Sequence, residues 1–193
     1  MDFKQSKTFA NLAKAFAGES QARNRYTYYA EVAKKEGLEH VAAVFEETAW
    51  NERAHAQVFY NHIVENLGEG IIEVNATYPA SIADTAKNLK AAADGEREEW
   101  DVLYKSFKED ALAEGYKLVA HSFKEIAEIE EQHESRYLAL WNLVKEGKYF
   151  EREEAVLWKC MNCGYVTENK KAPLVCPACK YPQAHFELKE AAQ

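Results

Sequence analysis

Proline and glycine are scarce through most of this chain. The first 146 residues hold one proline, Pro79, and few glycines, which points to long helices with few interruptions. No run approaches the ~18 apolar residues needed to cross a bilayer, so no membrane association is expected. The first twenty residues, MDFKQSKTFANLAKAFAGES, lack the apolar core of a signal peptide, and a soluble, cytoplasmic protein is expected. There is no basic block with interleaved aromatics, and the net charge is −8, which argues against nucleic acid as a partner. Cysteine is confined to positions 160, 163, 176 and 179. In a reducing compartment such a cluster reads as a metal site and not as a disulfide frame.

What remains is enough for a sizeable domain and a small one: 193 residues, 47% of them hydrophobic. Apolar residues at three-to-four spacing predict four helices, roughly 4–36, 38–67, 81–114 and 116–146. Each of the first three ends at a glycine, and the fourth stops before Gly147. Ser81 and Asp84 are expected to cap the third helix. One-residue breaks at Gly37 and Gly115 predict two antiparallel hairpins. The long stretch GEGIIEVNATYPA (68–80) joins them, which is the ferritin-like arrangement of a four-helix bundle with one long crossover. Residues 1–146 are thus expected to form the bundle, 147–155 a charged linker, and 156–193 a small β-rich domain stabilised by metal.

The inner faces of the helices carry acids. The stretch EIEEQHE (128–134) sets Glu130 and His133 three residues apart on a stripe otherwise made of Phe123, Ile126, Tyr137 and Leu140. The second helix repeats this with Glu52 and His55, the first offers Glu19, and the third offers Glu96 and Glu99. Glu-x-x-His follows the first GE pair by 33 residues (Glu19 to Glu52) and the second by 34 (Glu96 to Glu130). Phe45, Ala49, Glu52 and His55 match Phe123, Ala127, Glu130 and His133 at an offset of 78. The chain therefore contains an internal repeat of a helical hairpin. Glu98, Glu128 and Glu131 fall on solvated faces, His40 and His121 face away, and His62 lies two turns from His55.

Burying unpaired carboxylates costs several kcal/mol each, and five together would exceed the ~5–15 kcal/mol stability of an ordinary domain. No Lys or Arg stands at the matching core positions, so bound cations are the natural compensation. One Glu from each of two helices plus Glu-x-x-His from the other two is the di-iron carboxylate pattern. Here seven residues are available instead of six. Mixed Glu and His ligands suit iron or manganese, with zinc also compatible. The spacing C-x2-C-x12-C-x2-C provides four thiolates for a tetrahedral ion; spacing alone does not separate zinc from iron. A redox site in the same chain favours iron, as an electron feed.

These motifs together resemble the rubrerythrin family. FAGESQARNRY (16–26), the paired Glu-x-x-His elements, GEREEW (95–100) and WKCMNCGY…CPACKYPQAHFE are similar to that family along nearly the whole chain. The resemblance implies a ferritin-like di-iron bundle followed by a rubredoxin-like domain with iron on Cys160, Cys163, Cys176 and Cys179. It implies Glu52 and Glu130 as bridging carboxylates, Glu19 as a terminal ligand of one iron, and Glu96 and His133 as those of the other. His55 and Glu99 would exchange on the first iron with redox state, and Tyr26 and Tyr104 would stand beside the carboxylates. Simple rubredoxins have Gly after the second Cys of each pair; Gly164 fits and Lys180 departs. The implied activity is reduction of hydrogen peroxide in oxidative-stress defence, with a nicotinamide-linked reductase or a rubredoxin as electron donor. A homodimer with electron transfer between subunits is also implied. A ferritin-like ferroxidase and a zinc scaffold are the competing readings.

Overall fold

The computed structural model describes residues 2–189; Met1 and residues 190–193 of the expected tail domain lie outside them. Helix α1 (Lys7–Lys35) opens at Ser6, whose hydroxyl accepts from the Phe9 N–H at 3.0 Å. It ends at Gly37 in the left-handed region (φ +74°), where the Leu38 N–H closes back on the Ala33 carbonyl at 2.9 Å. Helix α2 (Glu39–Leu67) returns alongside α1. The same closure recurs at Gly115 and Gly147, so one residue type ends three of the long helical runs by one mechanism.

The crossover, residues 68–84, has no regular secondary structure. Two tyrosines pin it: the Tyr78 hydroxyl donates to the Lys14 carbonyl at 2.9 Å, and the Tyr29 hydroxyl donates to the Ser81 carbonyl at 3.0 Å. Ser81 therefore anchors the crossover through its backbone and does not open the next helix. Asp84 does so, accepting from the Lys87 N–H at 2.9 Å, while Glu36 accepts from the Thr85 N–H at 3.1 Å, and α3 spans Thr85–Glu98.

The third expected helix is not continuous. A π-helical segment, Glu99–Leu103, separates α3 from α4 (Tyr104–Ala113), and α5 (Lys117–Lys145) completes the second hairpin. A π turn holds an extra residue and rotates everything after it. Tyr104, and not Leu103 as the regular stripe predicts, therefore becomes fully buried. This insertion also explains the unequal 33- and 34-residue spacings in the two halves.

The bundle core has two apolar clusters. One includes Tyr26, Tyr29, Phe45 and Tyr137; the other includes Leu12, Phe59, Tyr104, Phe107 and Phe123. The acidic layer lies between them. After the bundle, Tyr149 packs into the first cluster, and β1 (Glu151–Cys160) begins inside the stretch expected as a linker. Strands β2 (Val166–Lys171) and β3 (Phe186–Leu188) flank β1 in an antiparallel sheet of order β2-β1-β3. Trp158, Phe186 and Ala172 fill its small core together with Cys160 and Cys176.

Glu114, in the turn before α5, reaches across to the free N–H groups at the start of α1. It accepts from the Lys7 and Thr8 N–H groups at 3.0 and 2.8 Å and from the Thr8 hydroxyl at 2.6 Å. Glu114→Ala is expected to destabilise the fold by about 1–2 kcal/mol, measured by denaturant unfolding. The Thr8 hydrogen bonds hold the Glu114 carboxyl below its ordinary 4.5. Their contribution is complete above that value and disappears as the pH falls through the lowered one, so the variant and the parent converge in acid.

Candidate metal centres

Each of the four long helical runs delivers one glutamate to the same level of the bundle. Glu19 (α1), Glu52 (α2), Glu96 (α3) and Glu130 (α5) are all 0% exposed. His55 and His133 are buried one turn beyond Glu52 and Glu130. These residues form two groups: Glu19, Glu52, His55 and Glu130, and Glu52, Glu96, Glu130 and His133. Glu52 and Glu130 belong to both, because each turns one oxygen to each side. His55 Nδ1 lies 2.8 Å from Glu130 Oε1 and 3.6 Å from Glu52 Oε2. His133 Nδ1 lies 2.8 Å from Glu130 Oε2 and 3.4 Å from Glu52 Oε1. Glu19 and Glu96 close the two ends at 3.8 Å from the nearer histidine.

Two tyrosines hold the end carboxylates in a crossed pattern. Tyr26 of α1 donates to Glu96 Oε1 at 2.6 Å, and Tyr104 of α4 donates to Glu19 Oε1. The repeat is visible here as well: Glu19 to Tyr26 is seven residues, and Glu96 to Tyr104 is eight, the extra one being the π insertion. Each tyrosine occupies one oxygen of its carboxylate and leaves the other free.

The free atoms are the test of whether ions fit. Glu19 Oε2, Glu96 Oε2, both oxygens of Glu52 and of Glu130, and Nδ1 of both histidines are buried and make no hydrogen bond. Among the described residues no lysine or arginine pairs with these carboxylates. Eight unsatisfied ligand atoms converging on two points is what a pair of cations satisfies. Without ions the layer must hold protons. Burial, then the Glu52 charge, pushes Glu19 up to about 8, and burial with the Glu130 charge pushes Glu96 up to about 7. Burial opposes protonation of His133, but the surrounding carboxylates Glu130, Glu52 and Glu96 overcome it and raise the ring to about 12. At His55 burial likewise opposes protonation, and the carboxylates, Glu130 foremost, outweigh it and raise the ring well above its ordinary value.

Glu99 belongs to neither group. It is half-buried in the π segment, and its Oε1 lies 3.8 Å from the point where a Cβ would stand at Gly18, beside Glu19. Burial, then the Glu19 charge, raises its carboxyl well above the ordinary value. It lines a cavity of about 240 Å³ under the crossover, with Gly18, Tyr78, Leu103 and Tyr104. Among the other expected positions, His62 bonds Ser122 at 2.8 Å, and Glu98, Glu128, Glu131 and His121 are exposed. His40 instead meets the tail junction, its Nδ1 2.7 Å from the Tyr149 hydroxyl.

Sequence reasoning missed two residues that bear on the site. The Asn51 amide lies 3.2 Å from His133 Nε2. Glu134 is buried and accepts from Trp100 Nε1 at 2.7 Å and from Arg97 Nη1 at 3.3 Å.

In the tail, Cys160 and Cys179 sulfurs are 3.7 Å apart, as are those of Cys163 and Cys176. A tetrahedron with ~2.3 Å metal–sulfur bonds has edges of about 3.8 Å. The two Cys pairs sit in matching turns. Gly164 N–H donates to the Cys160 carbonyl at 2.8 Å, and Lys180 N–H donates to the Cys176 carbonyl at 2.9 Å. Lys180 adopts the left-handed conformation (φ 64°) that Gly164 adopts in the first turn, so the expected departure changes the side chain and not the backbone.

A helical bundle with paired buried carboxylates, joined to four thiolates in a small sheet, defines a di-iron carboxylate protein with a rubredoxin-like domain. The rubrerythrin family model matches residues 10–141, and the model of the rubrerythrin rubredoxin-like domain matches residues 158–187. The chain belongs to the rubrerythrin family. It is 54% identical to rubrerythrin-1 of Clostridium acetobutylicum over 186 residues, covering 96% of this chain and 95% of that one. It is also 54% identical to the rubrerythrin of Porphyromonas gingivalis, covering 95% and 90%. Nigerythrin in its fully reduced, all-ferrous state superposes with a TM-score of 0.65 at 29% identity, over 97% of this chain and 91% of that one. Iron is thus the cofactor of both centres.

Loading the bundle requires the protons of the metal-free layer to leave. Ferrous binding by the metal-free protein, measured anaerobically by calorimetry in two buffers, is expected to release protons. It should tighten as the pH rises through about 7 and about 8, where Glu96 and Glu19 give theirs up. Affinity that is flat or falls over this window would contradict the assignment.

Proposed function

We propose that this protein reduces hydrogen peroxide to water at the carboxylate layer and is recharged with single electrons through the four-cysteine site. The observation that supports this most is the presence in one chain of two buried ligand groups sharing Glu52 and Glu130 together with a separate thiolate site. When bound, a diferrous pair supplies the two electrons that, with two protons, convert one peroxide into two waters. Iron storage needs oxidation and no dedicated electron input, so the thiolate domain disfavours a ferritin-like ferroxidase. The electrons come from a nicotinamide-linked reductase, directly or through a rubredoxin. In a homodimer the thiolate domain of one subunit serves the bundle of the other.

The residues divide the work. Glu52 and Glu130 would be shared by the two ions, since each offers one oxygen to each side. Glu19 and Glu96 bind at the ends, oriented by Tyr104 and Tyr26. Peroxide enters by the cavity that Glu99 lines. With iron bound, His55 and Glu99 would be alternative ligands on the Glu19 side. Two ferrous charges balance the four carboxylates Glu19, Glu52, Glu96 and Glu130 with neutral histidines. Oxidation adds positive charge, and replacing His55 by the Glu99 carboxylate limits the imbalance in a low-dielectric interior. Structures of both oxidation states test this: His55 bound when reduced and Glu99 bound when oxidised is expected, and His55 bound in both would contradict it.

Full-length protein carrying Cys160→Ser and Cys176→Ser separates the two centres. Reduced anaerobically and given one equivalent of peroxide, it should oxidise its bundle irons as fast as the parent. Its steady-state turnover with a reductase should fall about tenfold or more. Undiminished steady-state turnover would remove the thiolate site from the electron path.

A further inference from the structure

We infer that Asn51 is a positioning residue that fixes His133, and that the apolar Ile129 at the equivalent place in the repeat is what leaves His55 free to exchange. The second half of this inference rests on the exchange proposed above; the first half does not. The two histidines occupy equivalent positions. Both are buried, both turn Nδ1 to the bridging carboxylates, and both lie 2.8 Å from Glu130. Nothing in their contacts with the ligand groups explains why one should leave and the other stay.

The difference lies behind the rings. With Nδ1 facing the ion, the imidazole proton sits on Nε2, which then donates outward. For His133 the partner is the Asn51 amide at 3.2 Å. An amide can present either end, and Oδ1 is the end that accepts this proton. Among the described residues no hydrogen bond reaches Nε2 of His55.

The internal repeat makes the comparison quantitative. The offset of 78 that relates Glu52 to Glu130 and His55 to His133 carries Asn51 onto Ile129. The two-fold counterpart of the Asn51–His133 contact is therefore Ile129 with His55, and isoleucine has neither donor nor acceptor in its side chain. The same offset carries Glu134 onto Ala56. Glu134 ties the His133 turn of α5 to Trp100 and Arg97, whereas the His55 turn of α2 has only an alanine methyl there. The His133 ring has one such partner and the helix turn that carries it another, and the equivalent places beside His55 offer neither.

The spare carboxylate breaks the symmetry on the same side. Glu99 lies beside Gly18 and Glu19, in the His55 half. Its counterpart at the offset of 77 that relates Glu19 to Glu96 is Ala22. The loosely held histidine and the spare carboxylate thus stand on the same side of the layer, while the other half has a fixed histidine and no spare acid.

Three full-length variants test the inference. Asn51→Leu keeps the size of the side chain and removes the acceptor, Asn51→Asp keeps an acceptor, and Ile129→Asn supplies one to His55 at a position 37% exposed. The first readout is nitrogen-15 NMR of the zinc-loaded protein. The His133 Nε2–H should exchange slowly with water in the parent and in Asn51→Asp, and fast in Asn51→Leu. The second is anaerobic ferrous titration, in which Asn51→Leu should weaken one of the two bundle ions about 10–100-fold. The third is the diferric crystal structure of Ile129→Asn, in which His55 should remain bound. Unchanged proton exchange and ion affinity in Asn51→Leu would overturn the role of Asn51. Departure of His55 in diferric Ile129→Asn, as in the parent, would overturn the role of Ile129. A parent that keeps His55 in both states would instead refute the exchange itself, and the first two readouts would still decide the positioning of His133.

Discussion

Four glutamates buried at one level of a helical bundle, with no lysine or arginine among the described residues bonded to them, are the constraint on which the rest of this protein depends. Left as carboxylates without ions they would cost the fold several kcal/mol each. Left as neutral acids they would still carry unsatisfied oxygens. Two cations remove both costs, and the surroundings are built for that outcome. Aromatic clusters close the layer above and below, and each end carboxylate has one oxygen held by a tyrosine and one free. The crossover closes over the side where Glu99 waits.

The bundle is a duplicated hairpin whose two halves have been made unequal by few changes. One extra residue in a π turn brings Glu99 toward the layer and sets Tyr104 in register with Glu19. A π insertion in a helix costs hydrogen-bond regularity and persists where a site uses it. With Asn51 against Ile129 and Glu134 against Ala56, the symmetric ligand set becomes two ions with different surroundings. A symmetric site would offer no reason for one ligand to move; the asymmetry here is what the proposed exchange of His55 for Glu99 would use.

Much of this was legible in the residues. The four helices follow from the spacing of apolar positions, and the acids of the layer from their place on those stripes. The four thiolates follow from cysteine spacing. The π segment is hidden in the sequence, because Leu103 continues a regular stripe as well as Tyr104 does. Its trace was the 33-residue spacing in one half against 34 in the other. Ser81 looked like a helix cap because the residue type is right; the backbone there is instead held by Tyr29. The stretch before Trp158 read as a linker because β1 is largely exposed there and charged accordingly. Asn51 and Glu134 belong to no sequence pattern, and only their partners on neighbouring helices distinguish them.

The central claim is that the carboxylate layer exists to hold two ions, distinct from the one on the cysteines. Elemental analysis of the native protein, with Mössbauer spectroscopy to separate the sites, addresses it most directly. The expected result is one iron for each of the three ligand groups, two of them in oxygen and nitrogen surroundings and one tetrahedral in sulfur. A chain with its four thiolates filled and no more than one ion in the bundle would contradict the account.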